Sequence, residues 1–394
     1  MDYNIILVFA LILFATKFCG ILTRRLNLPQ VVGALVAGII LGPSVLGFAQ
    51  PNETLTIIAE LGVIVLLFSA GMEMDFREFK NLLRPSLLIA VLGITLAVGG
   101  GFLAASAVGL PAFESFFIGV VIASTSTSIT VEALQEMGKL KTKSGSALLS
   151  TAVIDDILGI ILLSVVLGIG GGGSEFDLIA AGVILLKIIT FFAFAFICGF
   201  IMNKLLSVIR NRSGESRRLS IFALAFCFLM AFLAEDFGLA DIAGAFIAGV
   251  AFCNTRYVEY LEKSTHVLSY MFLSPVFFAS IGINMVLDGF NPGMLLFAGL
   301  LLAAAVLSKL VGCGLSAKLC RFKNSECFQI GAGMVTRGEV SIIVASKGIA
   351  AGIMDPGLFS GIIIVVLITV LIAPALLKLV FTERFIRIAD KENK

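Results

Sequence analysis

The sequence predicts an all-α polytopic membrane protein. Of its 394 residues 59% are hydrophobic and only 14% are charged, the mean hydropathy is +1.08, and apolar runs of membrane-spanning length follow one another along the chain. Soluble domains are about 45–50% apolar and about 25% charged. Lys plus Arg (28) nearly balance Asp plus Glu (26), so the composition does not indicate a nucleic-acid-binding surface or an acidic tail.

Thirteen segments have the length of a transmembrane helix, which needs about 20 apolar residues for a hydrocarbon core of about 30 Å. They cover residues 4–22, 30–48, 54–72, 86–108, 112–135, 144–168, 177–204, 218–236, 239–254, 266–287, 293–317, 325–350 and 358–381. No basic stretch precedes the first segment, so we expect a retained span rather than a cleaved signal peptide.

The basic residues alternate from one side of these spans to the other. Loops after spans one, three, five, seven, nine and eleven, together with the C-terminus, hold 23 of the 28 basic residues, and the opposite loops hold none. Lys and Arg are enriched in cytoplasmic loops. We therefore expect the N-terminus outside and the C-terminus in the cytoplasm.

The thirteen spans divide into two six-helix sets, residues 1–168 and 218–382, joined by a linker helix at 177–204. The first set starts outside and the second inside, which is the geometry of inverted repeats in secondary transporters. Polar breaks interrupt the fifth span at 124–128 and the twelfth at 336–339. Because discontinuous helices at matching positions indicate a transport site, we expect crossed discontinuous helices within a single membrane transport domain, 1–394, that has no soluble regulatory domain.

A few ionisable residues lie at bilayer depth. Asp155 and Asp156 are near the middle of span six, Lys309 is in span eleven, and Arg337 and Glu339 are in span twelve. Such residues are costly in hydrocarbon and are functional candidates by default. Adjacent helical residues point about 100° apart, so one aspartate is expected to pair with Lys309 while the other faces a water-filled cavity.

These groups suit the transport of a hard cation. Na⁺ prefers oxygen ligands, which a carboxylate, Ser and Thr hydroxyls and unwound carbonyls can supply. One carboxylate holds either a proton or the cation, and this competition is sufficient to couple two fluxes. Arg337 and Glu339 can be interpreted either as residues of the transport site or as charged residues that hold helices together. Asp155 and Lys309 can have both roles at once.

The sequence lacks the residue patterns of metalloproteins, nucleotide-binding proteins, enzymes and channels. One His and seven scattered Cys form no CxxC or HExxH motif, so we expect no metal cofactor. The GxGxxG match at 168–173 follows a membrane helix, not a strand, and does not predict nucleotide binding. The sequence contains no recognisable set of nucleophile and base, so it does not predict an enzyme. It contains no TVGYG-like selectivity filter either, so it does not predict a channel.

Several stretches resemble those of the monovalent cation:proton antiporter-2 family, and the match covers essentially the whole chain. They are TAVIDDILG at 151–159, LNLPQVVG at 26–33, LGP at 41–43, FSAGME at 68–73, GAGMVTRGEV at 331–340, and Lys309. The chain is most similar to the short bacterial antiporters of the NapA type, which consist of the membrane domain alone.

This resemblance implies a Na⁺/H⁺ antiporter of the bacterial plasma membrane, with Li⁺ or K⁺ as other possible cations. It implies a homodimer in the lipid bilayer that works by elevator-like alternating access, without cofactor, nucleotide or nucleic acid. Asp156 would bind the cation, and Asp155 would pair with Lys309 when no cation is bound. The remaining implied residues of the crossing-helix site are Thr125, Ser126, Arg337 and Glu339.

Two acids accompany electrogenic exchange in the wider superfamily, so the resemblance also implies electrogenic transport. One alternative is a K⁺/H⁺ antiporter of the Kef type without its regulatory domain, because Na⁺ and K⁺ differ in size and the motifs do not resolve size. The other is a sodium-coupled solute symporter, although the sequence offers little beyond the acids to bind an organic substrate.

Overall fold

In the part of the chain that the computed structural model describes, the secondary structure consists of helices joined by turns and short loops. This part comprises residues 3–25, 28–74, 76–170, 216–253, 255, 257–285 and 292–391, with scattered residues between 182 and 204. The helices of the first half are α1 Tyr3–Arg25, α2 Gln30–Leu41, α3 Glu53–Met72, α4 Phe76–Ala107, α5 Ala112–Ala123, α6 Thr127–Glu136 and α7 Lys143–Gly170.

The helices of the second half begin after residue 215. They are α8 Ser216–Asp236, α9 Asp241–Phe252, α10 Val258–Leu268, α11 Ser274–Ile283, α12 Pro292–Leu319, α13 Asn324–Gly333, α14 Glu339–Ala350, α15 Phe359–Val380 and α16 Glu383–Lys391. A π-helical turn, Ser269–Leu273, joins α10 to α11, and a 3₁₀ turn, Pro356–Leu358, precedes α15.

The all-α polytopic class predicted from the sequence is confirmed. Within the described residues, nine helices are long and apolar enough to cross a membrane, and shorter apolar helices accompany them. The predicted linker span 177–204 lies largely outside the described residues, so the count of thirteen crossings stays a prediction. The predicted second span is too long, because α2 ends at Leu41, where Gly42 is extended ahead of Pro43.

The helices pack as two bundles. The crossing bundle contains α4–α7 and α12–α15, and the flanking bundle contains α1–α3 and α8–α11. Close helix contacts between the bundles are made by α6 with α2 and α3, and by α15 with α2. The helix α6 is therefore at the boundary between them.

Glycines let helices of the flanking bundle approach closely. A Cβ on Gly249 of α9 would collide with the backbone of Phe68 and Gly71 on α3. A Cβ on Gly282 of α11 would collide with the backbone of α2 between Leu35 and Ile39. Because packing rather than water drives helix association in lipid, such small-residue contacts fix the bundle.

One end of the molecule carries the basic residues. Helices α1, α6, α12 and α15 finish there, and α7 and α13 begin there, with Arg24, Arg25, Lys143, Lys318 and Lys378. We call it the basic end. Between the two ends α1 presents large apolar side chains to the outside, with Phe14 79% and Phe18 71% exposed, as expected of a lipid-facing helix.

Candidate functional site

Two interrupted helices meet inside the crossing bundle. Residues 124–126 separate α5 from α6, and residues 334–338 separate α13 from α14. The backbone is extended at Ser124 and Ser126. Peptide groups at helix ends have no intrahelical partner, so both breaks expose backbone donors and acceptors in the interior.

The two breaks cross and bond to each other. The amide of Ser126 donates to the carbonyl of Thr336 (N–O 3.0 Å), and the Ser341 hydroxyl donates to the carbonyl of Ser124 (3.1 Å). Gly338 is required at this contact, since a Cβ there would lie 2.6 Å from Ser126 Oγ. Four helix ends, with their partial charges, therefore converge at one buried point.

Asp155 of α7 forms an ion pair with Lys309 of α12. Lys309 Nζ lies 2.6 Å from Asp155 Oδ1, and the two side chains are 0% and 1% exposed. Gly93 on α4 lets α12 approach closely at this level, because a Cβ there would lie 2.5 Å from Cys313 Sγ. A buried pair of this kind requires both partners, since either charge alone would be strongly unfavourable.

Asp156, the neighbouring residue, points to a different element. Its Oδ2 accepts a hydrogen bond from Thr127 Oγ1 (3.2 Å), and Thr127 is the first residue of α6. The side chain is partly exposed, unlike that of Asp155. The two carboxylates thus have separate environments, one held by a lysine and the other beside the broken helix.

Arg337 is fully buried at the second break. Its Nη1 donates to the carbonyls of Met334, Val335 and Thr336 (2.9–3.1 Å), and its Nη2 donates to the carbonyl of Ala305 on α12 (3.0 Å). The guanidinium therefore binds the free carbonyls of the break itself, directly after α13, and ties that break to α12. Asp155 is within electrostatic range of this charge.

A small cavity adjoins the crossing on the side of α6. Its volume is about 10 Å³, which is close to the space that one water needs. The wall carries hydroxyls from four residues, Thr125, Ser126, Thr127 and Thr130. Thr130 is held in place because its Oγ1 donates to the carbonyl of Gly333 (2.8 Å).

The structure brings most of the predicted residues together at the crossing. Asp155 and Lys309 form one group, and Asp156 lies beside the break that contains Thr125 and Ser126. Glu339 begins α14, but its side chain lies outside the described part of the structure. Thr127, which donates to Asp156, lies in the polar run of the sequence, but the run alone does not single it out because it does not reveal where α6 begins.

An all-helical membrane fold with two crossed, broken helices and a pair of acids beside them defines a secondary transporter. The chain belongs to the sodium/hydrogen exchanger family, since the model of that family's transmembrane region matches residues 10–383. The sequence-based assignment to a monovalent cation:proton antiporter family is thereby confirmed.

Relatives of known name match over nearly their full length. The Na⁺/H⁺-K⁺ antiporter GerN of Bacillus cereus is 38% identical over 385 residues, covering 97% of both chains. A Na⁺/H⁺ antiporter of Enterococcus hirae is 34% identical over 377 residues, covering 96% of this chain and 98% of that one. The sodium proton antiporter MjNhaP1 of Methanocaldococcus jannaschii has the same fold, with a TM-score of 0.70 at 18% identity and 96% coverage of each chain.

Proposed function

We propose that this protein exchanges Na⁺ for H⁺ across a bacterial plasma membrane by alternating access. The observation that carries the proposal is the site itself, a partly exposed carboxylate, Asp156, beside the crossed helix breaks and next to the buried pair of Asp155 and Lys309. The relatives are named as Na⁺/H⁺ antiporters, which supports the same pair of substrates.

In this mechanism Asp156 is the group for which the two substrates compete. Its carboxylate binds Na⁺ together with the Thr127 hydroxyl and oxygens of the first break, because Na⁺ prefers oxygen ligands. When a proton occupies the same carboxylate, the negative charge that holds Na⁺ is lost. Exchange follows because each substrate leaves before the other binds.

Asp155 and Lys309 supply a second charge that responds to the cation. Na⁺ at Asp156 places a positive charge near the pair, which weakens the hold of Asp155 on the ammonium. A proton carried by this pair in addition to the one at Asp156 gives two H⁺ for each Na⁺. One net charge then crosses, which contributes about 2.3 kcal/mol per 100 mV of membrane potential.

The remaining site residues position the two breaks. Thr125 and Ser126 keep the first break open toward the cavity, and Arg337 holds the free carbonyls of the second break. Glu339 begins the second half of the second broken helix, and its role in transport is assigned by family resemblance. The mechanism requires no cofactor beyond the transported ions, and no nucleotide or nucleic acid.

We propose further that the basic end faces the cytoplasm, with the N-terminus outside, and that residues 1–168 and 218–382 are inverted repeats joined by 177–204. The broken helices α5–α6 and α13–α14 support this, since they occupy matching places in the two halves. The glycine contacts support it as well, because α2 with α11 and α9 with α3 are corresponding pairs in such repeats. The exposed apolar surface fits lipid and a homodimer.

The test is exchange in proteoliposomes that hold the purified protein. An imposed pH gradient is dissipated by adding Na⁺, Li⁺ or K⁺, with and without a membrane potential. We expect Na⁺ to dissipate the gradient with saturation, and a potential to change the rate. Flux that does not depend on a counter-cation, or uptake of a labelled organic solute driven by Na⁺, would contradict the proposal.

A further inference from the structure

The helix α6 connects the proposed ion site to the flanking bundle. Its first residue, Thr127, contacts Asp156, and its last two, Gln135 and Glu136, are at the basic end. Ten helical residues span about 15 Å as one rigid rod. Any movement of the site relative to the flanking bundle must therefore displace Gln135 and Glu136 as well.

Those two residues bond to the flanking bundle. Gln135 Nε2 donates to Glu73 Oε1 (3.0 Å) at the end of α3. The backbone amide of Gln30, the first residue of α2, donates to Glu136 Oε2 (2.6 Å). The second contact places a carboxylate on the positive end of a helix, which is a favourable arrangement.

A third contact joins the bundles nearby. Lys141, just beyond α6, lies 3.8 Å from Glu262 of α10, with the two side chains 64% and 27% exposed. Exposed ion pairs contribute little to stability, so the main effect of this contact is to bring two charged groups close to the contacts of Gln135 and Glu136. Glu262 and Lys141 both lie within electrostatic range of Glu73, as does Glu132 of α6.

Glu73 itself is half-buried among these charges. Burial and, to a smaller extent, the neighbouring Glu262 raise the pKa of its carboxyl, whereas Lys141 and the Gln135 hydrogen bond lower it, and together they bring it to about 7. The residue lies beyond the last residue of α3 and so outside the membrane-spanning helix.

We propose that the contacts of Gln135 with Glu73 and of Glu136 with the N-terminus of α2 form a latch that closes the basic end, and that it opens once in every transport cycle. This inference rests on the proposed function, since it assigns alternating access to a particular pair of surfaces. In the conformation described here the latch is closed.

Chemical cross-linking tests whether the latch must open. Cysteines at Glu73→Cys and Gln135→Cys, in a background whose native cysteines are replaced, are joined by a short bis-methanethiosulfonate reagent. The matched control joins Lys143→Cys and Glu326→Cys. In the native chain this ion pair (3.5 Å) is also at the basic end, but both residues belong to the crossing bundle.

We expect cross-linking of the latch pair to reduce exchange at least tenfold and reduction of the linker to restore it, while the control pair remains active. Exchange that survives complete cross-linking of Glu73→Cys with Gln135→Cys would overturn the latch. Absence of Na⁺-dependent flux in the native protein, measured in the same proteoliposomes, would instead contradict the proposed function, so the two failures are distinguishable.

A second measurement does not depend on transport. The rate at which a membrane-impermeant maleimide labels Gln135→Cys from the basic end reports how often the latch opens. Adding Glu136→Gln should raise this rate about tenfold, since a hydrogen bond to a charged group is lost, and Glu136→Asp should restore much of the slow rate. An unchanged rate in the Glu136→Gln variant would also overturn the proposal.

Discussion

Replacing Lys309 by alanine should destabilise the protein more than replacing both partners of its ion pair. The ammonium and the Asp155 carboxylate are 2.6 Å apart and essentially unexposed, so Lys309→Ala leaves a buried carboxylate without its counter-charge. Breaking a buried pair in this way costs about 3–5 kcal/mol, whereas removing both charges leaves no uncompensated charge in the interior. Because Arg337 is within electrostatic range of Asp155, it partly compensates the carboxylate that is left behind. We therefore expect a loss near the lower limit of this range.

The assay is thermal unfolding of the detergent-solubilised protein, followed by the monodisperse fraction after heating. We expect Lys309→Ala to lower the apparent melting temperature on the order of 5 °C, and Asp155→Asn/Lys309→Gln to recover most of the difference. Lys347→Ala, at an exposed lysine near the end of α14, is the control. Equal losses in the single and double variants would refute the argument that the pair is coupled.

Three further predictions concern the second break, the latch and helix packing. Arg337→Leu should lower the free energy of unfolding by about 3 kcal/mol, because the four carbonyls bound by the guanidinium lose their donors. Arg337→Lys should restore only part of this loss, because an ammonium cannot reach all four carbonyls at once, and full restoration by lysine would contradict the argument. Opening the latch hydrates Glu73 and returns its pKa from about 7 toward the ordinary value of 4.5, so rising pH favours opening by up to tenfold per unit between these two values. Exchange should therefore rise less between about pH 5 and 7 in Glu73→Gln than in the native protein, and identical profiles would exclude this role. Gly249→Val should reduce the yield of folded protein because its side chain meets the α3 backbone, whereas Gly299→Val, with open space around its Cβ, should not; equal yields would contradict the close crossing.

Much of the site could be predicted because its signal is local in the sequence. A charge inside an apolar run is conspicuous, so Asp155, Asp156 and Lys309 could be chosen from depth alone. The 100° step between adjacent residues predicted that the two aspartates face different partners, and they contact Lys309 and Thr127. The helix breaks were visible because Ser, Thr and Gly interrupt otherwise continuous hydrophobicity.

What the sequence did not reveal depends on packing between distant segments. The partners of Arg337 are backbone carbonyls, which no side-chain pattern encodes. Glu73 and Gln135 are ordinary polar residues at helix ends, where solvation is the usual expectation. Their contact exists because α3 and α6 belong to different bundles that meet at the basic end, and helix periodicity does not predict how two bundles dock.

The most direct test of the central claim is Na⁺-dependent proton flux in proteoliposomes that contain Asp156→Asn. If Asp156 is the carboxylate for which Na⁺ and H⁺ compete, the variant should fold as the native protein does, by size-exclusion profile and melting temperature, and should show no exchange above empty liposomes. Substantial saturable exchange in a folded Asp156→Asn variant would contradict the account.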